Sequence, residues 1–278
     1  MQTAEPIKLI CQTLDVSRAG YYAHRHKPER PRHQQDQTLT PLIRQEFAAS
    51  RKSYGSPRLQ VALARHGHRC GKNRVARLMR QAGLRARQKR RYRPSTTQSN
   101  HGLAIAKNWL AKVPAPARPN QVWVSDITYL PTQEGWLYLA MTLDACSRKV
   151  VGWCMDDSLE TFMVTEALKL ARQRRGPAPG ILHHSDRGVQ YASSACRALL
   201  AKYQITASMS RKGNCYDNAM AESFFATLKT EAFEDGIPVT KAQAKQQVFA
   251  YIEGFYNTRR FHSALGYQSP VDFETQFS

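Results

Sequence analysis

Three acids and a lysine in the C-terminal half of this 278-residue chain have the types and spacing to handle phosphate chemistry. Asp126 lies within the β-branched run Val122 to Leu130 (VWVSDITYL), where an ionised carboxylate costs several kcal/mol unless it is paired or binds a cation. Asp186 follows the short run Ile181 to His184, at the C-terminal end of a strand, where α/β folds place ligands. Glu222 and Lys229 are seven residues apart on an amphipathic run with Met220, Phe224 and Leu228 inward, so they share a helix face. The glycine-bearing loop Lys212-Gly213-Asn214 precedes that helix, and Asp217 or Asn218 can cap it. Thirty-five residues separate Asp186 from Glu222. Three carboxylates from two strands and a nearby helix can hold two divalent ions about 3.5–4 Å apart, and hard cations working on phosphate want oxygen ligands. Each acid alone reads as a surface charge or a helix cap. Together they read as a metal site.

The elements that must position them lie between residues 120 and 235. Val122–Leu130, Trp136–Leu143 and Val150–Met155 read as a meander of three strands, with a hairpin loop at Thr132–Gly135. Thr161–Arg175 has helical spacing and is stopped by Gly176-Pro177. Ile181–His184 and Ile205–Met209 are further strands around a helix at Ala192–Lys202. The order β-β-β-α-β-α-β-α predicts an α/β fold, a mixed sheet flanked by helices on both faces. A tail, 236–278, carries a helix from Thr240, with Gln243 completing a capping box, and ends in Asn257, Arg259, Arg260 and His262. These read either as DNA contacts beside the site or as packing and capping. His183 and His184, next to Asp186, read as core histidines.

Charge names the partner's sign. Residues 1–118 hold 25 of the 41 Lys and Arg but 5 of the 21 Asp and Glu, while the other 160 residues hold 16 of each. The whole formal charge of +20 therefore sits in the N-terminal part, which suits a polyanion. Within it, 1–37 reads as a short helical segment (Ile7, Ile10 and Leu14, then Ser17 as an N-cap) and a polar, proline-bearing linker over 25–37. Residues 38–93 read as a basic helix-turn-helix domain: a helix around Leu42, Ile43 and Phe47, one from Ser56-Pro57, and a recognition helix over 73–82. Arg74, Arg77 and Arg80 fall on its outer side, and Arg85–Arg93 extends the basic surface. His66, His68 and Cys70 lack a second ligand pair for zinc. Residues 94–119, rich in Pro, Ser and Ala, are a linker. Six scattered cysteines without a CxxC read as reduced cytoplasmic thiols, and no apolar run reaches the ~18 residues of a membrane span.

VWVSDITYL, HHSDRGVQY around Asp186, MSRKGNCYDNAMAESFFATLKTE around Glu222 and the tail YIEGFYNTRRFHSALGYQSP together resemble the transposases of IS3-family insertion sequences, over nearly the whole chain. The resemblance implies the RNase H-like core of retroviral integrases behind an all-α helix-turn-helix region. It implies a DDE triad of Asp126, Asp186 and Glu222, with Asp126 shared by two Mg²⁺ ions (Mn²⁺ as a substitute) and the other acids completing one each. Lys229 takes the family's basic position, anchoring phosphate. Arg74, Arg77, Arg80, Lys212, Arg259 and Arg260 are the expected DNA contacts, and the loop 212–218 is the expected lid over the DNA. The activity implied is cleavage of double-stranded DNA at element ends and joining to target DNA. A homo-oligomer on paired ends, an upstream-frame protein and a cytoplasmic, nucleoid-associated location go with it. The rival is a non-catalytic DNA-binding regulator on an integrase-like scaffold; the complete triad argues against it, because a retired site is free to lose its carboxylates.

Overall fold

The computed structural model describes residues 7–26, 31–87, 102–211, 218–233 and 236–277. The N-terminal part is helical. α1 (Ile7–Thr13) is followed by α2 (Arg18–Arg25), which Ser17 caps by accepting from Gly20 N at 3.0 Å. α3 spans Pro31–Ala49, α4 Ser56–Arg65 and α5 Lys72–Gln81. Residues 31–37 are thus helix and not linker. The cause is tertiary: Asp36 on α3 accepts from Arg74 Nε of α5 at 2.7 Å and also pairs with Arg77, so a polar stretch with no apolar stripe is fixed as helix. Ile43 and Phe47 of α3, Leu59 and Leu63 of α4, and Val75, Leu78 and Met79 of α5 close a small core.

The sheet contains β1 (Val122–Thr132), β2 (Gly135–Asp144), β3 (Val150–Asp156), β4 (Leu182–Ser185) and β5 (Thr206–Met209). Its order is β3-β2-β1-β4-β5; the first three strands run antiparallel, and β4 and β5 join in parallel. This is the expected mixed sheet. α6 (Thr161–Arg175), α7 (Val189–Ala192) and α8 (Ser194–Lys202) cover one face, over Trp123, Val151 and Ile181. The single helix expected over 192–202 is interrupted at Ser193, whose Oγ caps α8 by accepting from Cys196 N at 3.2 Å.

The other face carries α9 (Ala219–Glu231) and α10 (Lys241–Tyr251), and α11 (Pro270–Glu274) ends the tail. Val122, Val124, Leu130, Leu139 and Met141 bury against Ala221, Phe224 and Leu228 of α9 and Val248 and Tyr251 of α10. Thr240 caps α10 as expected, but Gln243 Oε1 accepts from Val239 N at 2.8 Å and not from Thr240 N. Apolar burial continues from this face into the helix-turn-helix core. Tyr54 stitches the join, donating to Arg259 O at 3.2 Å and accepting from Phe261 N at 2.7 Å.

Candidate active site

β1 and β4 pair in parallel with Val124 opposite His184. Two residues further along each strand direction lie Asp126, midway along β1, and Asp186, one residue past β4, so the register sets both acids with the same facing. Asp126 pairs across β2 with Met141, whose side chain belongs to the face under α9. Asn218, at the start of α9, donates from Nδ2 to Ser125 O at 3.4 Å and brings that helix to β1 beside Asp126. Glu222 lies one turn further on, exposed, and Lys229 two turns beyond it sets its Nζ 4.7 Å from the centre of the Tyr129 ring.

The electrostatics show the convergence. Burial lifts the Asp126 carboxyl well above the usual range, and the charges of Asp186 and then Glu222 add to the rise, opposed by a hydrogen bond from Ile127 N and by Lys229. Burial also raises Glu222 and lowers Lys229, the latter partly offset by Asp126. Asp186 is oriented by Gly188, whose N donates to its Oδ1 at 2.9 Å; a Cβ on Gly188 would stand 3.0 Å from the same oxygen. Partly desolvated carboxylates that raise one another are a donor set suited to a hard divalent cation. Among the described residues, no three His, Cys, Asp or Glu side chains are gathered tightly enough to cage an ion as they stand.

Both histidines belong to the core. His183 Nε2 meets Ser125 Oγ at 2.8 Å, Ser125 meets Thr142 at 2.9 Å, and burial holds the imidazole at a pKa of about 4. His184 Nδ1 lies 2.9 Å from Ser208 Oγ, which accepts from Trp109 N and Leu110 N. With both acceptor directions of Ser208 taken, its proton goes to Nδ1, and Nε2–H of His184 donates to Ser210 Oγ at 3.1 Å. This network docks residues 108–110 on the strands that carry Asp186.

The expected DNA contacts divide. Arg80 and Arg259 are exposed. Arg74 is held by Asp36, Gln35 and the Arg32 carbonyl, and Arg77 by Asp36 and Gln81, so both join α5 to α3. Arg260 is 5% exposed, its Nε and NH2 group donating to Glu231 at 2.7 and 2.8 Å, and it packs α9 against the tail. Asn257 likewise packs, its carboxamide bonded to N and O of Val150 at 2.9 and 3.0 Å. Lys212 and the lid expected over 212–218 lie outside the described residues except for Asn218.

Tyr191 escapes the sequence reading, in which Asn218 figures only as a helix cap and as the end of the lid. Tyr191 is buried, and its hydroxyl has no partner among the described residues; burial, then Asp126 and Asp186, raise its pKa. Asn218 is buried with its Oδ1 also unpartnered among the described residues. Only the repeated Ser-Asp pairs, Ser125-Asp126 and Ser185-Asp186, gave a local signal that the two strands meet.

Acids on adjacent strands of a mixed sheet, with a third on the helix packed over them, are the donor set that a polynucleotidyl transferase of the integrase type calls for. Residues 116–215 and 203–270 match models of the Integrase core domain, and residues 34–92 match an HTH-like domain. The chain is 43% identical over 269 residues to the insertion element IS600 uncharacterized 31 kDa protein of Shigella sonnei, covering 96% of this chain and 98% of that protein. It is 39% identical to the transposase InsF for insertion sequence IS3A of Escherichia coli K12, covering 97% and 94% respectively. With the transposase for insertion sequence element IS904 of Lactococcus lactis the identity is 40%, over 85% of this chain and 93% of that one. Among solved structures, the HTLV-2 integrase catalytic core domain in complex with magnesium is 14% identical, with a TM-score of 0.44 over 57% of this chain and 98% of that one. The chain belongs to the IS3 family of insertion-sequence transposases and is a DDE-type transposase.

Proposed function

We propose that this transposase cuts double-stranded DNA at the ends of its element and joins the freed 3′-hydroxyl to a phosphodiester of the target, with Asp126, Asp186 and Glu222 as its triad. The observation that carries this reading is the register of β1 against β4, which sets Asp126 and Asp186 on one face, where Asn218 seats the helix that bears Glu222. Two Mg²⁺ ions, or Mn²⁺ in their place, held by these three carboxylates would supply Lewis-acid stabilisation of the attacking and leaving oxygens. The protein's own part is to orient the carboxylates: Gly188 N and Ile127 N donate to Asp186 and Asp126. Lys229, half-buried over Tyr129 on the Glu222 face of α9, presents a cation to the phosphate next to the reacting bond. The basic helix-turn-helix unit holds the duplex, with Arg80 and Arg259 as exposed contacts and Lys212 approaching from the loop before α9. Two ends are held by a homo-oligomer, with an upstream-frame protein as a further partner, and the work is done at the nucleoid.

Asp126→Asn, Asp186→Asn and Glu222→Gln each lower Mg²⁺-dependent cleavage and joining of duplexes from the element's own ends. The loss is at least the ~10²–10³-fold that follows removal of one transition-state-stabilising group. DNA binding without metal is retained. Wild-type cleavage and joining in all three variants would sink the assignment.

A further inference from the structure

Between the helix-turn-helix unit, α9 and the tail lies a cleft of about 450 Å³. Arg58 of α4, Arg87, Arg148 of the β2–β3 turn and Arg260 of the tail line it. Glu231 is the one carboxylate among its described lining residues, and both its oxygens are engaged, by Arg260 and by Tyr251. Arg58 and Arg148 are half-buried, and neither side chain makes a hydrogen bond or ion pair among the described residues; Arg58 lies only over the Tyr54 ring, at 5.5 Å. Burial, then the neighbouring Arg260, depress the Arg58 guanidinium. His262 marks where the charges meet. Its Nε2 is buried without a partner among the described residues, and burial, then Arg260, Arg58 and Arg148, hold the ring neutral with a pKa of about 3. Clustered cations drawn out of water without an anion are a cost to the fold that a bound anion relieves.

We propose that this cleft is a phosphate site, in which Arg58 and Arg148 grip a backbone phosphate of the DNA carried by the helix-turn-helix unit. The inference rests on the DNA-transfer reading above for the source of the phosphate. Arginine is suited to the task because its planar fork meets phosphate oxygens in pairs. The neutral ring of His262 brings its Nε2, unpartnered among the described residues, to the same cleft without a competing charge. Ser223, Thr227 and Thr230 of α9 line the same cleft, so a phosphate seated there ties α4 to the helix bearing Glu222. DNA held by the basic unit would thereby brace the catalytic helix.

The test uses the full chain, without divalent metal, and compares Arg58→Gln/Arg148→Gln with wild type and with Arg197→Gln, an exposed arginine of α8 away from the cleft. Inorganic phosphate raises the Tm of wild type and Arg197→Gln above that in chloride at matched ionic strength, and the rise disappears in the double variant. For a duplex from the element's ends, the slope of log K against log [salt] becomes shallower by about 0.9 for each DNA phosphate that is no longer neutralised. The double variant, which releases that one phosphate, therefore shows a slope shallower by roughly 0.9. Arg58→Lys/Arg148→Lys keeps both charges and retains the wild-type slope. No rise with phosphate in wild type overturns the site, even if the glutamine pair does not fold. A rise with an unchanged slope in the glutamine pair overturns the DNA assignment and leaves a site for free phosphate. No cleavage is read in this test, so failure of the triad assignment shows separately.

Discussion

His183 is neutral in the fold because burial, with a smaller push from His184, holds it at about 4 against an ordinary 6.5. Between those values the unfolded chain takes up a proton that the folded chain refuses. Its contribution is therefore complete above pH 6.5 and is lost as pH falls towards 4, by about 3 kcal/mol at ~1.4 kcal/mol per unit. His262 titrates over the same interval, so the His183 share is the difference between wild type and His183→Gln in urea unfolding across that range. The variant should lose less stability on acidification; equal slopes would contradict a buried neutral imidazole. The arginines of α5 offer a second contrast. Arg74→Ala removes charge-assisted bonds to Asp36 and should cost about 1.5–3 kcal/mol of stability. Arg80→Ala, on an exposed side chain, should leave the Tm in place and make the salt dependence of DNA binding shallower by about 0.9. Thermal melts and salt titrations of the two variants decide the order.

At the level of elements, α6 approaches β3 as closely as it does because residue 152 has no side chain. A Cβ there would lie 2.0 Å from Ala167 O and 2.7 Å from Ala171 N. The ladder between β2 and β3 also shifts register between Thr142 and Leu143, at the start of β3, where Asn257 of the tail bonds Val150. Backbone on both sides leaves nothing flexible to give way, so Gly152→Ala should cost at least the ~1–3 kcal/mol typical of overpacking. Loss of soluble protein or a Tm drop of several degrees checks this; a wild-type Tm would mean that α6 moves freely on the sheet. The consequence for the site is positional. α6 and α8 hold the back of β1 and β4, and the offset of those two strands decides whether Asp126 and Asp186 stand side by side.

For the molecule as a whole, the buried pair of Glu231 and Arg260 joins the last turn of α9 to the tail, with Tyr251 OH adding a third bond to the carboxylate at 2.8 Å. Burial alone would lower the Arg260 pKa, but Glu231 outweighs it and raises it. Arg260→Met strands a buried carboxylate and should cost about 3–5 kcal/mol, the range for breaking a buried pair from one side. Chemical denaturation measures that loss. A variant with wild-type stability and weakened DNA binding would instead restore Arg260 as a direct contact. Because apolar packing runs without a break from Leu39 and Ile43 through Leu130 to Phe261, the helix-turn-helix unit is fastened to the catalytic face. The basic half and the acidic site are thereby held in a fixed relation.

Local signals along the chain were enough for the strands, most helix boundaries, the charge division and four candidate residues for the site. Period-two runs made β1 to β3 legible, Pro57 and Ser17 marked helix starts, and Asp126 stood out as a charge in an apolar strand. Long-range packing settled what depends on partners distant in sequence. Helix at 31–37 rests on arginines about 40 residues away, between Asp36 and Arg74 or Arg77. The burial of Arg260 rests on Glu231, and the neutral state of His183 on its enclosure within the sheet beside His184. The cleft lined by Arg58 and Arg148 exists only where α4, α9 and the tail meet. Side-chain type and spacing could name the acids, but only the parallel offset of β1 against β4 brings them together.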